Sequence, residues 1–293
     1  MTWVFFTVLA AFMQAFRNAF QKQLSHTVPV LGVTLARFLF GAPLAALYLT
    51  LLYHLGTAPP PLAAIPLPFV GYVVAAALMQ IIATGLMVKV FTVNNYAIGA
   101  GLAKSEAIFA AILGVLFFAS SLSPLGWLGV VIGAFAVFLL SGLRSFKDID
   151  GRTLCYGAGS GLSFALTSLW VREASLSLGL PYPFGAAWVL LSVISLQTLV
   201  LLGYLALRAP QTLQALAKQP RLVLITSVAS CIGSLGWFTA MSLQSVPLVK
   251  TLGQIEVLFT ILISVFWLKE KLKAQDLTGL ACIVVAAVLV LWA

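Results

Sequence analysis

Apolar residues run along this chain in ten long stretches with almost no alternation between apolar and polar positions. They cover roughly Trp3–Gln21, Val28–Tyr53, Phe69–Lys89, Tyr96–Ala119, Pro124–Leu143, Thr153–Arg172, Phe184–Leu207, Leu222–Met241, Leu248–Leu268 and Leu277–Trp292. Each is close to the ~20 residues that cross a bilayer as a helix rising ~1.5 Å per residue. Membrane barrels need period-two alternation, which these runs lack, so the pattern predicts helices. Turn-forming clusters separate several of them, most plainly at His54–Pro61 and Leu180–Pro183. The first run has no basic leader, and Gln14, Arg17 and Asn18 interrupt it, so it reads as a permanent span and not as a cleaved signal.

The pattern also repeats. At an offset of 150, Glu106-Ala-Ile-Phe109 meets Glu256-Val-Leu-Phe259, Ala15 meets Ala165, Lys22 meets Arg172, and Gly129 meets Gly279. The equivalent connections differ in charge: Ala119–Gly126 carries none, whereas Lys269–Asp276 carries five charged residues. Two copies of one unit with opposite loop charge are expected of units inserted in opposite directions. The expectation is an all-α membrane protein of ten transmembrane helices, arranged as two inverted five-helix repeats. The first repeat spans 1–143, a cytoplasmic connection 144–152, and the second repeat 153–293.

Composition agrees, with 62% hydrophobic and only 8% charged residues, against about 25% charged in soluble domains. The net charge of +9 comes from loops between apolar runs, which argues against a nucleic-acid partner and for a topology signal. Eleven Lys and Arg lie in odd-numbered connections and only Arg172 in an even one. Odd connections are therefore expected in the cytoplasm and both termini outside, in a bacterial-type inner membrane. Trp3, Tyr53, Trp127, Trp170, Trp188, Trp237 and Trp292 then fall near the outer boundary, where an interfacial belt is expected.

Cys155, Cys231 and Cys282 have no metal spacing and read as small core residues, while His26 and His54 lie in connections on opposite sides. No metal, cofactor or hydrolytic constellation is expected, and no Walker-type motif occurs, so the chain is not read as an enzyme or an ATP-driven pump. Gly157-Ala-Gly-Ser-Gly161 lacks the lysine of a phosphate loop; it reads, like Gly129 and Gly133, as close helix packing.

Candidate site residues are the polar groups left inside the spans. A charge at a helix centre costs ~2.5–3.5 kcal/mol on insertion scales, so Arg17, Arg37, Lys104, Lys250, Glu106 and Glu256 should face the protein interior. Glu106 and Glu256 are repeat-equivalent and expected at roughly ~15 and ~12 Å depth, where inverted-repeat carriers bind solutes. Lys104 and Glu106, two apart, point ~200° away from each other on a helix and must find partners elsewhere. Lys250 and Gln254, four apart, share a face. Gln14, Asn18 and Gln80 would line the same cavity, and Arg17, nearer the cytoplasmic end, could snorkel. Interhelical ion pairs that only fix packing are the competing reading.

Gly32-Val-Thr-Leu-Ala-Arg37-Phe-Leu-Phe40, and Trp267-Leu-Lys-Glu-Lys-Leu-Lys273 followed by Leu277-Thr-Gly279, resemble the EamA-type branch of the drug/metabolite transporter superfamily over the whole chain. The resemblance implies a ten-helix carrier of amino acids, other metabolites or drugs, often outward. The chain departs from that pattern at Ser120-Ser-Leu-Ser123, where relatives carry a Gly-Glu-type turn, and at Glu106 and Glu256, where proline is common. It also has Gln14 and Asn18 where small four-helix relatives carry a glutamate. Four intramembrane cations against two carboxylates leave +2, which favours a zwitterionic or anionic small-molecule solute. The expected function is export of an amino acid or similar metabolite by alternating access in contact with lipid. The alternatives are multidrug efflux and a non-transport role such as a lipid scramblase.

Overall fold

The computed structural model describes residues 1–55, 60, 64–93, 102–140, 150–268 and 274–293. Most of the 144–152 connection, the Lys269–Lys273 loop and the start of the fourth expected span at Tyr96 lie outside them. The helices are α1 (Thr2–Leu24), α2 (Val30–Ala36), α3 (Gly41–Leu55), α4 (Leu67–Val93), α5 (Glu106–Phe117), α6 (Pro124–Leu140), α7 (Gly151–Ser177), α8 (Phe184–Arg208), α9 (Pro210–Ala217), α10 (Pro220–Leu243), α11 (Val246–Leu252), α12 (Glu256–Leu268) and α13 (Ala274–Trp292). No strand occurs among the described residues. In hydrocarbon each backbone polar group must bond within its own segment, and an uninterrupted apolar run does so only as a helix. Proline opens α6, α9 and α10, where its missing N–H has no intrahelical acceptor to lose.

Among the described residues, seven segments are long and apolar enough to cross a bilayer: Thr2–Leu24, Val30–Leu55, Leu67–Thr92, Gly151–Ser177, Phe184–Arg208, Pro220–Leu243 and Val246–Ile263. Three shorter apolar helices among the same residues lie at Glu106–Phe117, Pro124–Leu140 and Thr278–Trp292. The chain is a multi-pass membrane protein.

Continuous helices were the expectation for the second and ninth stretches, and the structure breaks both. A turn at Arg37–Phe40 separates α2 from α3, and a 3-10 turn, Gly253–Ile255, separates α11 from α12. The fourth stretch has a turn at Lys104–Ser105, after which α5 begins. Irregular backbone at membrane depth survives only where protein or a polar cavity satisfies it. Both carboxylates sit there, Glu106 as the first residue of α5 and Glu256 as the first of α12. A carboxylate at that point faces the positive end of the helix dipole.

The packing has two-fold character. The most extensive helix pairs are α4 with α7, α1 with α10, and α6 with α13. Exchanging the halves converts the first pair into the second and the third into itself. Particular contacts follow the same rule. A Cβ on Gly129 would meet Val290 at 2.9 Å, and one on Gly279 would overlap Leu140, with Gly129/Gly279 and Leu140/Val290 both 150 apart.

The equivalent helices α1 and α7 run in opposite directions. Phe6, at the start of α1, stacks edge-on against Tyr182, just past the end of α7, with ring centroids 6.3 Å apart. Tyr53, at the end of α3, packs on Phe184 at the start of α8 (5.1 Å) and accepts a hydrogen bond from Trp188. The N-terminal end of α1, the C-terminal end of α3 and the N-terminal end of α8 thus share one side, as a serpentine chain requires.

The glycine-rich start of α7 serves packing: a Cβ on Gly157 would overlap Leu102, and one on Gly161 would strike Ser105 and lie 3.0 Å from the Glu106 amide. The absence of side chains here lets α7 press against the break before α5. Cysteine departs from expectation at one position, because Cys155 is exposed while Cys231 is buried and Cys282 lies between. A thiol is apolar enough to face lipid without cost.

Candidate functional site

Two carboxylates anchor a small polar cavity between the halves. Glu256, 1% exposed, forms an ion pair with Lys104 and accepts hydrogen bonds from Gln14 Nε2 and from Asn18 Nδ2 (2.8 Å). Glu106, 7% exposed, pairs with Lys250 at 2.7 Å and accepts from Ser168 Oγ at 3.1 Å. Every one of these partners belongs to the opposite half. Asn18 and Ser168 are themselves 150 apart, so the first helix of each half offers a donor to the carboxylate of the other. The lysines break the symmetry: Lys104 precedes its glutamate by two residues and Lys250 precedes its own by six.

Second contacts hold these groups in place. Arg17, 2% exposed, donates to Asn18 Oδ1 from Nε (3.1 Å) and Nη2 (2.7 Å), aiming the amide nitrogen of Asn18 at Glu256. Arg17 does not snorkel: its guanidinium turns inward to this network. Arg37, at the turn after α2, donates to Thr84 (2.7 Å) and Ser230 (3.2 Å) and stacks near the rings of Phe38 and Phe164. Gln80 accepts from Gln197 at 2.7 Å.

The cavity is about 30 Å³, room for a water molecule or two. Nine of the ten residues singled out from the sequence line it: Gln14, Arg17, Asn18, Arg37, Gln80, Lys104, Glu106, Lys250 and Glu256. Gln254 does not. The helix tightens to 3-10 after Leu252, which rotates Gln254 away from the face of Lys250 and presses its amide on Gly133. Gly133 thus gives α6 the room to pack closely against the Gln254 amide.

Trp237 was expected in an outer belt and is instead 5% exposed within the site. Its Nε1 donates to Gln14 Oε1 at 2.9 Å, and Lys250 Nζ lies 4.2 Å from its ring centroid. One tryptophan therefore couples the donor of one carboxylate to the cation of the other, by hydrogen bond and cation–π contact. Thr167 and Ser168, also lining the cavity, carry no charge to flag them in an apolar run. Their signal was positional: they are the repeat equivalents of Arg17 and Asn18.

The sequence profile of the EamA-like transporter family matches residues 1–142 and, a second time, residues 151–292. The chain belongs to the EamA-like transporter family. The two matches fall on the two halves that meet at the cavity, so in this EamA-like protein the site is built between two copies of the family unit. Twenty-six solved chains match the fold, among them a crystal structure of a protein with 14% sequence identity and a TM-score of 0.68. That likeness covers 96% of this chain and 98% of the other, and it is one of fold. No curated protein matches the sequence.

Proposed function

We propose that this EamA-like protein is a secondary carrier that moves a small zwitterionic or anionic metabolite, an amino acid or close analogue, across the inner membrane by alternating access. One observation supports the reading: among the described residues, the side chains that hydrogen-bond or ion-pair with the Glu106 and Glu256 carboxylates all come from the opposite half. Separating the halves to admit a solute splits both ion pairs at once. Each buried charge left alone costs several kcal/mol. A zwitterion supplies an ammonium for a carboxylate and a carboxylate for a lysine, so it compensates both signs across the widened gap. A hydrophobic cation compensates only one, and it meets a site whose four cations outnumber its two acids.

Export is the direction we assign, following the resemblance to EamA-type carriers, with the odd-numbered connections, which hold eleven of the twelve basic loop residues, taken to face the cytoplasm. The test is a stabilisation screen on the purified full-length protein, comparing neutral and acidic amino acids with hydrophobic cations. A true solute at 100 times its Kd should stabilise by about 2.7 kcal/mol. Stabilisation by amino acids, lost in Glu256→Gln, is the expected result. Stabilisation by hydrophobic cations alone would replace this reading with drug efflux.

A further inference from the structure

A second pair of repeat-related contacts lies just outside the cavity. Lys22, in the last turn of α1, donates Nζ to the carbonyl of Phe91 in the last turn of α4, at 2.5 Å. Arg172, near the end of α7, donates Nη1 to the carbonyls of Met241 and Gln244 at the end of α10, both at 2.6 Å. Lys22 and Arg172 are 150 residues apart, and so are Phe91 and Met241. The last carbonyls of a helix have no intrahelical donor and form its negative end, so a cation there satisfies both the orphan acceptor and the dipole.

Their position relative to the cavity is the same in each half. Lys22 lies four residues beyond Asn18, and Arg172 four beyond Ser168, or about one helical turn past the cavity lining. Among the described residues the seams they cross, α1 to α4 and α7 to α10, are less closely packed than the main pairs, α1 on α10 and α4 on α7. Each cation therefore adds a tie between two helices that pack less on each other than on their main partners. The two ties sit at opposite ends of the molecule. Tyr182, beside the end of α7 that carries Arg172, touches Phe6, and Lys22 is sixteen residues further along α1, ~24 Å away.

We infer that Lys22 and Arg172 are positioning residues for transport, a pair of latches that each close one end of the cavity by holding the seam beside it. Both side chains are partly exposed, so either can exchange its carbonyl for water at the mouth without stranding a buried charge. Alternating release of the two would open the cavity to one side at a time. The inference rests on the alternating-access reading.

The test places Thr167→Cys, a cavity-lining reporter, in the full-length chain after Cys155, Cys231 and Cys282 are changed to alanine. An impermeant methanethiosulfonate reagent is applied to right-side-out and inverted vesicles. Lys22→Met should raise the labelling rate about tenfold from one face only, the cytoplasmic one, and Arg172→Met by a similar factor from the other face only; hydrogen bonds to charged groups are of the size that produces such a shift. Lys22→Arg and Arg172→Lys should keep the parent pattern. Where a methionine variant does not reach the membrane, Lys22→Gln or Arg172→Gln carries the same test. Labelling that rises equally from both faces, or that is unchanged although the reporter is reached, overturns the latches alone. A reporter that is reached from neither face in any variant overturns alternating access with them.

Discussion

At the scale of residues, the Lys104–Glu256 pair decides how the site behaves when perturbed. Glu256 is nearly inaccessible and bound by three side chains. Glu256→Gln strands the ammonium of Lys104, and Lys104→Met strands the carboxylate; each should destabilise the protein by up to ~3–5 kcal/mol, the usual cost of breaking a buried pair. The double variant should recover most of that loss, since neither charge then lacks its partner. Thermal unfolding of the four proteins in one detergent reads the coupling, and strictly additive losses would show that the two charges do not depend on each other. The sequence exposed these residues because a charge inside an apolar run is expensive enough to need a reason. Trp237 escaped the same logic: tryptophan is common at membrane interfaces, and nothing in its neighbourhood separates a belt residue from one wedged between Gln14 and Lys250. The displacement of Gln254 was also illegible, because it follows from a local change of helix type that leaves hydropathy untouched.

At the scale of elements, the apolar runs located the helices but not their interruptions. Val30–Leu55 has the hydropathy of a single span, yet Arg37 sits at a break, and the breaks at Lys104–Ser105 and Gly253–Ile255 present the two glutamates at helix N-termini. Those breaks are stable because polar groups from other helices satisfy them, and such partners are distant in sequence. Close helix contacts are better encoded, through glycine. A Cβ on Gly236 would lie 2.7 Å from the carbonyl oxygen of Phe6 and 2.9 Å from the Cβ of Ala10. Backbone cannot swing aside as a flexible side chain can, so Gly236→Ala should push α1 and α10 apart and cost ~1–3 kcal/mol. Gly203 has nothing within 4 Å of its virtual Cβ, so Gly203→Ala should be neutral or stabilise by up to ~1 kcal/mol. Equal melting temperatures for the two variants would contradict the packing of α1 on α10.

At the scale of the whole molecule, the 150-residue offset carried the repeat, and the charge contrast between equivalent loops carried the inversion that the opposed α1 and α7 display. The exchange of partners between halves could not be read in advance. Periodicity says which face of a helix is polar, but not which helix it meets, so the crossing of Lys104 to Glu256 and Lys250 to Glu106 belongs to the fold alone. That crossing is the centre of the functional account, and uptake of labelled neutral and acidic amino acids by proteoliposomes tests it most directly. Uptake above protein-free liposomes is expected for the parent, with a fall of about tenfold or more in both Glu106→Gln and Glu256→Gln, the loss expected when a buried charged contact to the solute disappears. Folded variants that transport at the parent rate would contradict it, and would leave the two ion pairs as staples between the halves.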